Sequence, residues 1–203
     1  MRTAIAKRVV SYLLLLGGAF LLFEGARDFL ISRWGQSTAE SEFAELQTTT
    51  KSAGPQHFHL GDTVAKLEIP RLGAALYVVE GTDKHDLRLG PGHMVGTALP
   101  GADGNCVIAG HRDTHFRVLK DVRRGDDLIL ETGSQRFVYT VKDTAVVDPT
   151  NTHALQPTRG AVVNLITCYP FYYVGNAPKR FIVEAELVPP QSASLVSPAH
   201  SVK

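Results

Sequence analysis

The sequence predicts an all-β domain preceded by one N-terminal membrane helix. Three observations lead there. Apolar side chains alternate with a period of two in the C-terminal half, turn residues recur between short apolar runs, and an uncharged apolar run follows the first basic residues.

The membrane helix comes first along the chain. Arg2, Lys7 and Arg8 precede residues 9–23, which carry no charge. As a helix this run spans roughly 22 Å, short of a hydrocarbon core of about 30 Å. That length fits a signal-peptide core at its upper limit or a short anchor. The anchor is favoured, because Glu24-Gly25-Ala26 places a carboxylate where a cleavage site needs a small residue. Cleavage after Ala19 would cut inside the apolar run. Phe29-Leu30-Ile31 extends the apolar character and Trp34 suits an aromatic belt. With the basic residues ahead of the span, the N-terminus is expected in the cytoplasm and the rest of the chain on the far side of the inner membrane.

Residues 1–34 are therefore read as a cytoplasmic stub and anchor, and residues 35–62 as a polar stalk. Within that stalk residues 41–46 have room for one or two helical turns. Residues 63–188 are read as the folded domain and residues 189–203 as a disordered tail rich in Ser and Pro.

The strand reading rests on two long patterns. Phe137, Tyr139 and Val141 alternate with Arg136, Val138 and Thr140; Phe181, Val183, Ala185 and Leu187 alternate with Ile182, Glu184 and Glu186. Shorter apolar runs lie at 76–79, 106–109, 128–130 and 162–166. Gly90-Pro91-Gly92, Leu99-Pro100-Gly101, Gly104-Asn105, Arg124-Gly125-Asp126 and Asp148-Pro149 separate them, drawing on 18 Gly and 11 Pro. Strands this short and frequent predict a mainly antiparallel barrel or sandwich with one core. The balance of 21 basic and 20 acidic side chains gives no electrostatic reason to expect nucleic acid as a partner.

Two cysteines are present, Cys106 and Cys168. Taken alone they are read as a structural disulfide or as buried apolar thiols. Strand ends change the weighting. Val107-Ile108-Ala109-Gly110 runs into His111, Leu165-Ile166-Thr167 runs into Cys168 ahead of Pro170, and Arg180 opens the last strand. A thiol, an imidazole and a guanidinium at strand ends suit acyl transfer: a nucleophile, a proton carrier and a cation for the developing oxyanion. Two rival readings remain open here. One is a tethered barrel that binds peptides without chemistry; the other is a thiol-redox pair of Cys106 and Cys168. The spacing His111-x-x-x-His115 resembles helical metal ligands, but it follows a strand end. His111-Arg112-Asp113 lacks the other parts of a kinase site.

On these residues the sequence resembles a sortase, most like class D. The matching stretches are Gly90-Pro91-Gly92-His93, Gly96-Thr97-Ala98-Leu99-Pro100-Gly101, Ile108-Ala109-Gly110-His111-Arg112-Asp113-Thr114, Leu165-Ile166-Thr167-Cys168-Tyr169-Pro170-Phe171 and Ala177-Pro178-Lys179-Arg180-Phe181. The resemblance implies a closed eight-stranded β-barrel with short helices and a cysteine transpeptidase. It implies Cys168, His111 and Arg180 as catalytic residues, and Thr167, Thr97 and Pro178 as substrate contacts. The implied substrate is a surface protein with a C-terminal LPxTG-like sorting signal, cleaved after Thr through a thioacyl enzyme. The implied acceptor is an amine, from a peptidoglycan stem peptide or another protein. No cofactor is implied, and with no acidic cluster like the calcium site of some class A enzymes, no metal is expected. Cys106 lies five residues before His111, which puts the two on opposite faces of a strand, so a structural thiol is expected there.

Overall fold

The computed structural model describes residues 2–49, 58–133, 135–173 and 175–189. The expected tail, apart from Pro189, lies outside the described residues. Eight strands close into a barrel: β1 (Thr63–Ile69), β2 (Ala74–Glu80), β3 (Gly92–His93), β4 (Gly104–Gly110), β5 (Asp127–Glu131), β6 (Arg136–Val147), β7 (Ala161–Tyr169) and β8 (Lys179–Leu187). Around the barrel the order is β1-β2-β3-β4-β7-β8-β6-β5. The β2–β3 and β4–β7 pairs are parallel and the others antiparallel. Closure leaves no open sheet edge. The eight-stranded barrel expected from the resemblance is the one observed.

The alternation seen in the sequence is the alternation of the wall. Tyr139 and Val141 of β6, Leu165 of β7, and Val183 and Ala185 of β8 fill the barrel interior with Cys106 and Ile108 of β4. Leu67 and Ile69 of β1 join them. A 3-10 turn, His115–Asp121, plugs one end, with Phe116 and Leu119 fully buried. The plug needs Gly110. A Cβ there would stand 2.6 Å from the Phe116 ring, so any larger residue would push the plug off the end of β4.

Helix α1 (Arg2–Thr49) is one continuous helix, and a second, α2 (Asp86–Leu89), forms a single turn. Residues 36–49, expected from their polarity to be stalk, belong to α1 and include side chains seated on the barrel. Ala39 and Phe43 are buried, and the Phe43 ring lies 5.8 Å from that of Tyr77. Gln36 donates to the carbonyls of Tyr77 (2.9 Å) and Leu89 (3.1 Å) and accepts from the Tyr77 amide (2.8 Å). The Thr63 hydroxyl donates to Glu42 (2.8 Å). Gly35 lets the helix touch α2, since a Cβ there would meet Leu89 Cα at 2.6 Å. The apolar side chains from Leu13 to Leu16 and from Phe20 to Phe23 are exposed. Among the described residues no helix is long and apolar enough to cross a membrane.

Candidate active site

The three candidate residues come from three neighbouring strands at one end of the barrel. Strands β4 and β7 run parallel, and their last rung joins Gly110 to Thr167. One residue further along each chain stand His111 and Cys168. Across the antiparallel β7–β8 pair, Cys168 is the register partner of Arg180. Alternation fixes the faces. Leu165, Val183, Cys106 and Ile108 point into the core, so Cys168, Arg180 and His111 share the outer face. Directly opposed positions place their Cβ atoms about 5 Å apart.

The ends of β4 and β7 are pinned just before this point. The Thr167 hydroxyl is buried and donates to the Gly110 carbonyl at 2.7 Å. The Phe116 amide bonds the His111 carbonyl at 2.9 Å, which turns the chain from His111 into the plug. At the base of the β7–β8 connection Tyr169, Phe171 and Phe181 pack ring to ring, with centroids 5.4 to 6.3 Å apart. Pro170 follows a cis peptide bond.

Further along the same outer face a buried pair sets the floor. Asn164 Nδ2 donates to Asn105 Oδ1 at 2.9 Å, and Asn105 Nδ2 donates to the carbonyls of Ala154 (2.8 Å) and Gln156 (2.9 Å). The β6–β7 connection is thereby held over one end of β4 and β7. Ala109 and Ile166, both half-buried, lie between that cover and the Cys168 end. The floor leading to Cys168 is apolar, and at its far end lies this amide pair, in which Asn164 Oδ1 is buried without a partner.

The expected substrate contacts fall differently. Pro178 is exposed and immediately precedes β8, at the same end as Arg180. Thr167 faces inward and gives its hydroxyl proton to Gly110. Thr97 lies in the β3–β4 connection, where its hydroxyl bonds the Met94 carbonyl (2.7 Å), His93 Nε2 (3.1 Å) and the Val107 amide (3.3 Å). His93 is buried with its Nδ1 2.6 Å from Glu80, so Thr97 belongs to a network that shapes this connection.

Cys106 and Cys168 are both free thiols. Cys106 is buried in the core, and burial with the nearby Glu80 charge pushes its thiol up to about 12. It pairs in register with Val163, five residues from Cys168 along β7, about 16 Å at the strand rise. That span is beyond disulfide reach and removes the redox-pair reading. Among the described residues no group of His, Cys, Asp or Glu is arranged to hold a metal ion.

Two nearby residues had no role from the sequence. Arg112 is buried just past the half-buried His111, and His115 is buried beneath α1, with its Nε2 2.8 Å from Ser32 Oγ. Local sequence carries no signal for either, since their cover comes from elements far away in the chain.

A family model described as a sortase domain matches residues 67–188. Sortase D of Bacillus subtilis is 42% identical over 130 residues, covering 63% of this chain and 65% of that protein. Sortase SrtE1 of Streptomyces coelicolor is 33% identical over 156 residues, covering 66% and 43% respectively. The chain thus spans less than two thirds of the length of either relative. A Clostridium perfringens Sortase D5 transpeptidase of known structure superposes with a TM-score of 0.63 at 26% identity, over 78% of this chain and 98% of that one.

Proposed function

The chain belongs to the sortase family, and on that premise we propose that it is a membrane-anchored cysteine transpeptidase acting on an LPxTG-like sorting signal. The observation that carries this reading is the register. Cys168 and Arg180 are partners across β7 and β8, and His111 stands one residue past the rung that joins Gly110 to Thr167.

The chemistry follows from the three groups. The Cys168 thiolate adds to the Thr carbonyl of the sorting signal, and the oxygen takes up negative charge. Arg180, on the same face, donates hydrogen bonds to that oxygen or holds the peptide beside it. The Thr–Gly C–N bond then breaks, and His111 gives its proton to the departing amine, leaving a thioester. An incoming amine adds to the thioester, His111 takes its proton, and the thiolate leaves. Water in place of the amine would give hydrolysis, so the outcome depends on which nucleophile reaches the thioester. The apolar floor of Ala109 and Ile166 suits the apolar residues ahead of the Thr.

The anchor reading rests on α1. Its exposed Leu and Phe side chains between Leu13 and Phe23 have no cover on the barrel, and a lipid phase would bury them at about 25 cal/mol per Å². Arg2, Lys7 and Arg8 ahead of them favour a cytoplasmic N-terminus and an extracytoplasmic barrel.

The test is transfer itself. The protein, incubated with LPxTG-like peptides and a small amine, is expected to yield the peptide–amine product. Cys168→Ala abolishes it and Cys106→Ala retains it. Product formation by Cys168→Ala would refute the assignment.

A further inference from the structure

We propose that Arg112 is a positioning residue that holds His111 against Cys168 by clamping the β7–β8 connection. The proposal rests on the reading of Cys168 and His111 given above and adds to it what fixes their separation.

The sheet cannot do this alone. The β4–β7 pairing ends at the rung of Gly110 and Thr167, and both His111 and Cys168 lie one residue beyond it. On the near side of His111 the Thr167 hydroxyl ties β7 to the Gly110 carbonyl. On the far side the tie is Arg112. Its Nη2 donates to the carbonyls of Tyr173 (2.7 Å) and Gly175 (2.9 Å). Its Cζ stands 5.8 Å from the centre of the Tyr173 ring, within cation–π range. His111 is thus held between two side-chain ties, one on each side of it in sequence, and both reach the segment that carries Cys168.

The chemistry of the tie is unusual for a structural role. Arg112 is 9% exposed, and among the described residues no carboxylate pairs with it and Nη1 has no partner. A buried cation without a counter-charge is costly. The two carbonyls and the Tyr173 ring recover part of that cost through charge-assisted bonds. A neutral donor could hold a loop at lower cost. Both bonds leave the single nitrogen Nη2, while the planar guanidinium also meets the Tyr173 ring. The nine residues between Tyr169 and Lys179 are therefore fastened at their middle to the residue after His111. The base of that connection is the Tyr169–Lys179 rung, next to the Cys168–Arg180 pair.

The experiment compares the intact protein with Arg112→Met and Arg112→Lys in detergent micelles. Three quantities are read: thermal midpoint, hydrogen exchange of the amides in residues 171–178, and kcat and KM for thioacylation by an LPxTG-like peptide. Arg112→Met is expected to stay folded, to speed exchange in 171–178, and to lower kcat on the order of 10- to 100-fold with a smaller change in KM. Arg112→Lys is expected to fall between the two proteins, because an ammonium keeps the charge but is shorter in reach and lacks the planar face that meets Tyr173. Folded Arg112→Met with kcat within about twofold of wild type, or with unchanged exchange in 171–178, overturns the proposal. So does a kcat loss that only tracks lost folded protein. Should Arg112→Met fail to fold, Arg112→Lys decides: reduced kcat with faster exchange supports the clamp, and wild-type values of both overturn it. If wild type forms no adduct with any peptide, the transpeptidase reading fails, while the exchange data still judge the clamp.

Discussion

His115 shows what burial does to a single titratable group beside this site. The imidazole is covered by α1, keeps one partner in Ser32, and leaves Nδ1 buried without one. Burial foremost, then repulsion from a charged His111, lowers its pKa from 6.5 to about 4. The unfolded chain therefore binds a proton between those values that the folded chain rejects. Stability from this residue is full above pH 6.5 and is lost as pH falls toward 4, on the order of a few kcal/mol in all. Thermal melts at pH 7 and pH 5 should show a lower midpoint at pH 5, and His115→Gln should shrink that difference. An undiminished difference would assign the acid sensitivity to other groups. Legibility at this scale was uneven. Cys168, His111 and Arg180 stood out because each ends or opens an apolar run in a recognised motif. Arg112 and His115 did not, because burial of a polar side chain depends on what later folds over it. Thr97 and Thr167 sit in motifs as well, yet their hydroxyls are taken up within the fold, by Met94, His93 and Val107 and by Gly110 respectively.

At the scale of elements, α1 departs most from the sequence expectation. Residues 36–49 are polar enough to read as stalk, because from 36 to 48 only Ala39 and Phe43 are buried. A docking face this narrow leaves no periodic apolar stripe. The helix is held by Gln36 instead, whose three hydrogen bonds join it to β2 and to the end of α2. Gln36→Ala leaves the Tyr77 amide and two carbonyls to find water, costing about 1–3 kcal/mol. The midpoint in detergent should fall by roughly 2–4 °C per kcal/mol for a chain of this size. A melt unchanged within error would mean that the Phe43–Tyr77 contact alone seats the helix. The strands were legible, because period two survives in β6 and β8. Their neighbours were not: nothing local says that β4 lies beside β7 in parallel, with fifty residues between them folded elsewhere.

For the whole molecule, the barrel and the apolar half of α1 make opposite demands on solvent. The barrel encloses a core of its own apolar residues, while Leu13–Leu16 and Phe20–Phe23 stay exposed on the helix. If a bilayer receives them, the full-length protein should sediment with membranes after alkaline carbonate washing. Replacing Leu14 and Leu15 together by Arg, at about 2.5–3.5 kcal/mol per charge at a helix centre, should move it toward the soluble fraction. Equal partitioning of both proteins would contradict the anchor. The central claim is narrower and concerns one sulfur atom. Intact-mass and peptide-mapping spectrometry of the folded protein, exposed to LPxTG-like peptides without amine, measures it directly. The account predicts a mass gain equal to the acyl fragment ending in Thr, carried on Cys168 and released by hydroxylamine. No gain across a peptide library, or an identical gain in Cys168→Ala, would contradict it.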